Sequence, residues 1–357
     1  MKRTPIYELH VEQGAKMGEY AGWEMPLFYP LGVKSEHLHT REKAGLFDIS
    51  HMMHVEVTGK DAGAYLGHLC PCEPASQELG QARYTFFLNE DAGIIDDLII
   101  TRLADDRYLV VANAGCAEKD FAHMEAHLHG FDVSLNRRDC GFLALQGPEA
   151  EAVLSDAGFA VDSMRFMTGT EPSQGWFLSR TGYTGEDGFE IAMPSGELPE
   201  FAVKLSGDRR VEWVGLAARD SLRLEAGLSL YGQDLDETIT PHEAALMWAI
   251  PKELRENGKF IGADALANKL AAGRTRQRLG LLPDGRPVRA GSTLVNEAGE
   301  EIGTVTSGGF GPTLGAPMAL GLVSCDAADK PIFADMRGKK VAMTRTTLPF
   351  VPHNYKR

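Results

Sequence analysis

The sequence of 357 residues predicts a mixed α+β fold that ends in an all-β segment. Three observations carry this expectation. Residues 84–112 read as a strand meander that runs straight into a helix-period segment. A second glycine-bounded helical stretch covers 215–225. From about residue 276 onward there are only short strand-like runs, with no helical period between them.

Taken in order, the meander is Tyr84–Leu88, a turn at Asn89–Gly93, then Ile94–Arg102 and Arg107–Ala112. The following helix places Phe121, Met124 and Leu128 on one face and stops at Gly130. A hairpin is expected from Trp176–Arg180 and Phe189–Met193 around a glycine-rich loop at 181–188. Gly215–Glu225 carries an apolar stripe of Ala218, Leu222 and Ala226 and ends before Gly227. A further helix is predicted from Thr240, where a capping hydroxyl, Pro241 and Glu243 mark a start and Pro251 an end. The tail then offers runs at 278–282, 302–307, 319–324, 331–336 and 340–345, a small barrel or sandwich.

Composition and charge bound the function. With 43% hydrophobic and 24% charged residues, collagen-like, disordered and disulfide-scaffold classes are excluded. No apolar run reaches the ~18–20 residues of a bilayer span. Met1–Glu8 lacks an apolar signal region, and five cysteines are an odd count. A cytoplasmic location is therefore expected. The net charge of −14 repels nucleic acid and anionic membrane. Residues 252–289 run against that sign, with nine bases and four acids. They form either a solvated face or a dock for an acidic partner.

Asp96-Asp97 is the most unusual pair. Strand alternation sets Asp97 with Ile95 and Ile99, and Asp96 with Ile94, Leu98 and Ile100. A carboxylate on an aliphatic face needs a hydrogen-bonding partner, unless a bulge turns it to solvent. Perturbed buried carboxylates are candidate acid–base groups. In the loop Arg180–Glu190, glycines allow close backbone approach, Tyr183 offers a flat ring and Glu190 two acceptors. That combination suits a planar heterocycle with adjacent N–H donors, although a plain hairpin loop has the same outline. Arg219 and Arg223 flank the 215–225 stripe, either snorkelling or clamping an anion. Metal readings are poor. His51/His54, Cys70/Cys72 and His123/His127 each lack a second ligand pair, and the last two histidines fit a solvated helix face. Leu314 spoils a dinucleotide reading of Gly308–Gly315.

Together these segments resemble the aminomethyltransferase family of the glycine cleavage system, the T-proteins. The matching stretches are Ala44–Met52, Asn89–Leu98, Ala112–Cys116, Leu143–Pro148, the 181–191 loop, Gly215–Glu225, Ile302–Gly308 and Pro349–Tyr355. The resemblance implies three lobes: two interwoven α+β lobes over 1–275 and an antiparallel β-barrel over 276–357. It implies tetrahydrofolate as co-substrate in a central hole, no metal, and a lipoylated H-protein whose arm enters from the opposite side. By the same resemblance Asp97 is catalytic, Glu190 accepts from the pterin, and Arg219 and Tyr355 bind folate. Met52, Tyr84 and Tyr183 line the pterin slot, and Arg278 stands on the H-protein side. Where some members carry a tyrosine, this chain has Leu228. Two relatives of the same fold stand as alternatives. One is a folate-dependent demethylase. The other is a non-enzymatic folate binder of the iron–sulfur assembly type, which carries a cysteine in the loop at 181–188 where this chain has none.

Overall fold

The computed structural model describes all 357 residues, and its two N-terminal lobes are interwoven because the chain changes sheets twice. Ala44–Asp48 lies in a six-stranded sheet, antiparallel to Cys140–Gln146 and parallel to Val211–Trp213. Past Ile49–Met52 the chain enters a five-stranded sheet as Met53–Thr58. There it builds the expected meander, Ala82–Leu88, Ile94–Ala104 and Arg107–Ala112, and adds Ser134–Arg137. It returns to the first sheet at Cys140. Phe142 sits at this crossing in a buried cluster with Phe47, Ile49, Leu109 and Val111, drawn from both sheets. Emptying such a site to alanine typically costs about 3–5 kcal/mol.

The tail is a closed six-stranded barrel in the order Arg276–Pro283, Ala316–Ser324, Glu301–Gly311, Thr293–Val295, Ile332–Asp335, Lys340–Thr346. Closure leaves no strand edge to pair with another chain. The strand that sequence reading missed, Thr293–Val295, is too short to show a period. Arg223 locks barrel to lobes. It is 1% exposed, donates to Asp234 and to Ser307 of the barrel at 2.8 Å each, and is neither a snorkelling side chain nor a free anion clamp.

Two helix expectations need correction. The reciprocal cap at Thr240 does form: Glu243 N–H donates to Thr240 Oγ1 at 3.3 Å, and Thr240 N–H to Glu243 Oε2 at 3.0 Å. The helix does not propagate. The Glu243 carbonyl is taken by the N–H of Arg278 at 2.9 Å, and Ala245 turns to φ +59°. Only turns and the short 3₁₀ segment Met247–Ala249 follow, leaving Trp248 68% exposed. The other correction concerns the helix Ala117–Ala126. His123 and His127 are half-buried rather than solvated, because His123 packs on Phe87 with ring centroids 5.1 Å apart.

Candidate active site

Between the lobes lies a cavity of about 1710 Å³, larger than the ~300–1,000 Å³ of ordinary small-ligand sites. Met52, Tyr84, Asp97, Tyr183, Glu190, Arg219, Arg278 and Tyr355 all line it. Each arrives on a different element, and the local structure explains how.

Asp97 and Asp96 point to opposite faces of Ile94–Ala104, as alternation requires. Asp96 is fully buried, and Asp97 reaches the cavity. A bulge is present in this strand itself: Phe87 pairs with Asp96 and Leu88 with Ile94, so Ile95 is the extra residue. It packs with Leu98 and Ile100 rather than on the Asp97 face expected for it, yet the bulge turns neither aspartate to solvent. The Tyr84 hydroxyl donates to Asp97 Oδ2 at 2.9 Å. Asn113 then does what alternation could not reveal. Its amide Nδ2 lies 2.9 Å from Asp97 Oδ1 and 2.9 Å from Asp96 Oδ1, bridging both faces. Only the NH₂ end can meet those acceptors, which fixes the amide orientation. Burial, then the charge of Asp96, push the Asp97 carboxyl up to about 7, against the pull of Tyr84 and Asn113. A proton acceptor near neutrality results.

Glu190 sits in Gly188–Pro194, opposite Ala144 and Ser179. Thr181 Oγ1 donates to its Oε2 at 2.5 Å, and no protein donor reaches its Oε1. Burial raises its pKa, opposed by Thr181 and by the charge of Arg219. The loop glycines serve a different end from the one expected. A Cβ on Gly182 would stand 1.9 Å from Gln146 Oε1. The close approach is thus to Gln146, whose Nε2 donates to the Thr181 carbonyl at 3.0 Å and whose Oε1 accepts from Thr184 at 2.8 Å. The glycines let Gln146 plug the loop so that Tyr183 and Glu190 are held still.

Arg219, on Leu216–Glu225, lays its guanidinium over the Tyr183 ring, 4.9 Å from the centroid. Its buried Nη1 has no hydrogen-bond partner. Tyr183 is anchored through its hydroxyl, which donates to the Ser229 carbonyl. Arg278 departs from the rest of the basic stretch. While Lys252, Arg274 and Arg286 are exposed, it turns inward, donates to the Gly227 carbonyl, and keeps a buried Nε without a partner. Burial lowers its pKa. Tyr355 comes from the tail, which leaves the barrel and folds back over the lobes. Asn354 N–H donates to the Gly185 carbonyl at 2.8 Å, and the Tyr355 ring stacks on Phe166 at 3.9 Å. Leu228 also borders the cavity.

Two residues without an assigned role now stand out. Asn113 lies within the Ala112–Cys116 stretch of the resemblance, at the end of a strand, and only strand register brings it beside the two aspartates. Trp248 stacks on Tyr84 at the cavity margin, with centroids 5.5 Å apart, and lies in the segment misread as helix.

Comparison with known proteins agrees with this geometry. The family model described as the GCVT N-terminal domain matches residues 6–253. That of the glycine cleavage T-protein C-terminal barrel domain matches 276–352. The mitochondrial aminomethyltransferase of Pisum sativum is 42% identical, over 99% of this chain and 90% of its own length. The Homo sapiens counterpart is 41% identical, over 99% and 91%. The crystal structure of glycine cleavage system aminomethyltransferase T from Bartonella henselae superposes with a TM-score of 0.98 at 52% identity, covering 100% of this chain and 99% of that one. A cavity built from two woven lobes and a barrel, and full-length likeness to these enzymes, lead to one conclusion: the chain belongs to the glycine cleavage T-protein family of aminomethyltransferases.

Proposed function

We propose that the cavity receives tetrahydrofolate from one side and the aminomethyl-loaded dihydrolipoyl arm of H-protein from the other. The products are 5,10-methylenetetrahydrofolate, ammonia and dihydrolipoyl H-protein. The observation that carries this is the convergence of incompletely satisfied charges on one cavity. Asp97 and Glu190 offer carboxylate oxygens, and Arg219 and Arg278 offer buried N–H groups that no protein atom occupies. Such a set fits a flat heterocycle with adjacent N–H donors and carboxylates at its far end. The large volume fits two reactants meeting inside.

Tetrahydrofolate, when bound, supplies the nitrogen nucleophile. The protein's own groups supply the rest. Glu190 accepts from the pterin N–H edge. Met52, Tyr84 and Tyr183 form the flat walls, and Arg219 and Tyr355 complete the folate site. Asp97 accepts a proton and opposes the positive charge that develops as the carbon leaves sulfur. Arg278 meets the arm within the cavity. A neighbouring groove shares Ala245 and Trp248 with the cavity and is lined by Lys252, Arg255 and Arg274, the surface we assign to the acidic carrier. Five unpaired cysteines fit a reducing compartment, and we propose the cytoplasm.

The test is to mix the chain with aminomethyl-loaded H-protein and tetrahydrofolate and follow methylenetetrahydrofolate. Its formation, dependent on both reactants, is expected. Folate binding without turnover, or turnover only with a sulfur- or oxygen-linked methyl donor, would overturn the reading.

A further inference from the structure

Behind the cavity wall lies a second layer of acid that the proposed chemistry does not use. Asp120, in the first turn of the helix Ala117–Ala126, is fully buried, and neither of its carboxylate oxygens has a hydrogen-bond partner. It is aimed at Asp96: the Asp96 and Asp120 oxygens and the Cys116 sulfur lie within 4.8 Å of one another. Asp96 is joined through Asn113 to Asp97, so three carboxyl groups form a row from the core to the cavity. The titratable groups around the row are Cys116 and Lys119 beside Asp120, Cys70 behind it, and Tyr84 and Tyr183 beside Asp97. The lysine is committed elsewhere, to the Ile95 carbonyl at 2.7 Å, Tyr231 at 2.9 Å and Glu237 at 3.0 Å.

Three adjacent carboxylates with no cation in contact cannot all ionise in a dry interior. The donors decide which one keeps its proton. Asp97 accepts from Tyr84 and Asn113, and Asp96 accepts twice from Asn113, through its N–H at 3.2 Å and its Nδ2 at 2.9 Å. Asp120 accepts nothing. The helix N-terminus favours an anion there, but no backbone N–H reaches either oxygen.

We infer that Asp120 is a positioning residue held as a neutral carboxylic acid, whose O–H donates to Asp96, keeps Asp96 ionised, and thereby sets the basicity of Asp97. Burial and the charge of Asp96 push the Asp120 carboxyl up to about 10, in accord with this order. Asp120 exchanges no proton with substrate. Its effect passes through the fixed negative charge that Asp97 faces. The inference rests on Asp97 as the proton acceptor.

The experiment pairs Asp120→Ala with Asp120→Asn. In the alanine variant Asp96 loses the Asp120 O–H and keeps only the bonds from Asn113, so it takes up a proton more readily and Asp97 faces a neutral neighbour. The acid limb of single-turnover methylenetetrahydrofolate formation then moves to lower pH by about one unit, the size of coupling that marks a strongly interacting pair. Asparagine is neutral and keeps an N–H donor, so it holds the limb at the parent's position. An unmoved limb in Asp120→Ala, or an equal shift in both variants, overturns the inference. Infrared spectroscopy of the parent, at a pH above that limb, gives an independent readout even where the alanine variant does not fold. A protonated-carboxyl C=O band lost in Asp120→Asn is expected, and its absence from the parent also overturns the inference. If instead Asp97→Asn turns over normally while the band is present, it is the role of Asp97 that fails and not the protonation of Asp120.

Discussion

Asp97 owes its basicity to opposed influences, and each can be read out. Burial and Asp96 raise its pKa to about 7, while Tyr84 and Asn113 restrain the rise. A base that must be ionised gives turnover that climbs with pH through about 7. Asp97→Asn keeps the shape but not the proton acceptor, and is expected to lose about 10²–10⁴-fold in kcat. Folate affinity should change far less. Single-turnover product formation and calorimetry separate the two. The same substitution tests linkage. A carboxyl with its folded pKa raised binds more protons folded than unfolded between 3.8 and about 7, so it lowers stability as pH rises through that window. The Tm of Asp97→Asn relative to the parent should therefore rise from pH 4 to pH 8, and a flat difference would show that burial does not strain this carboxyl. Glu190→Ala is expected to weaken tetrahydrofolate binding by about 1.5–3 kcal/mol, the range for a hydrogen bond to a charged group. That corresponds to roughly ten- to a hundredfold in Kd by calorimetry. Alternation made it legible that the two aspartates face opposite ways, while the choice of Asp97 and of its partners in the site came from the resemblance. Asn113 was not legible, because its reach to both aspartates depends on the register that sets Leu98 opposite Ala112.

At the scale of elements, local signals were reliable where the backbone's hydrogen bonds stay local. The meander and the 177–194 hairpin pair with their sequence neighbours, and both appear where the strand patterns put them. The segment after Thr240 shows the opposite case. Its cap forms, but the carbonyl that would propagate the helix is claimed by Arg278, a partner 35 residues away in sequence. The tail is similar. Nothing in Pro349–Tyr355 itself tells that it returns to Gly185 and Phe166. Its role can be measured by truncation after Pro352, which removes the Tyr355–Phe166 stack and the Asn354 bonds to Glu186 at 3.0 and 3.1 Å. A stack contributes about 0.5–1.5 kcal/mol and each hydrogen bond a similar amount. The KM for tetrahydrofolate should rise roughly tenfold or more, with the chain still folded by circular dichroism. An unchanged KM would reduce the tail to a strap that only ties barrel to lobes.

On the scale of the whole molecule, charge is divided by sign. In a chain of net charge −14, one groove is lined by Lys252, Arg255 and Arg274 against the single acid Glu256, with Lys252 and Arg274 exposed beside Trp248. On the proposed docking, an acidic carrier would be repelled by the rest of the surface and attracted at this groove. Such steering acts on association and fades with salt, since exposed charges are screened beyond ~8–10 Å at physiological ionic strength. Arg278 cannot contribute to it in the same way, because it is turned into the cavity and shielded from bulk ions. The two kinds of arginine should therefore separate in one experiment. Exposed pairs are each worth only about 0.2–1 kcal/mol. The double reversal Lys252→Glu/Arg274→Glu should accordingly raise the KM for H-protein roughly three- to tenfold, leave the KM for tetrahydrofolate alone, and flatten the salt dependence of association. Arg278→Glu places a fourth acid in the cavity with Asp97, Glu190 and Asp220, and should lower kcat at every ionic strength. Stopped-flow association with H-protein over a salt series, alongside steady-state kinetics, distinguishes these patterns. If the double reversal keeps the parent's salt slope, the groove is a solvated face and the carrier docks elsewhere on the molecule.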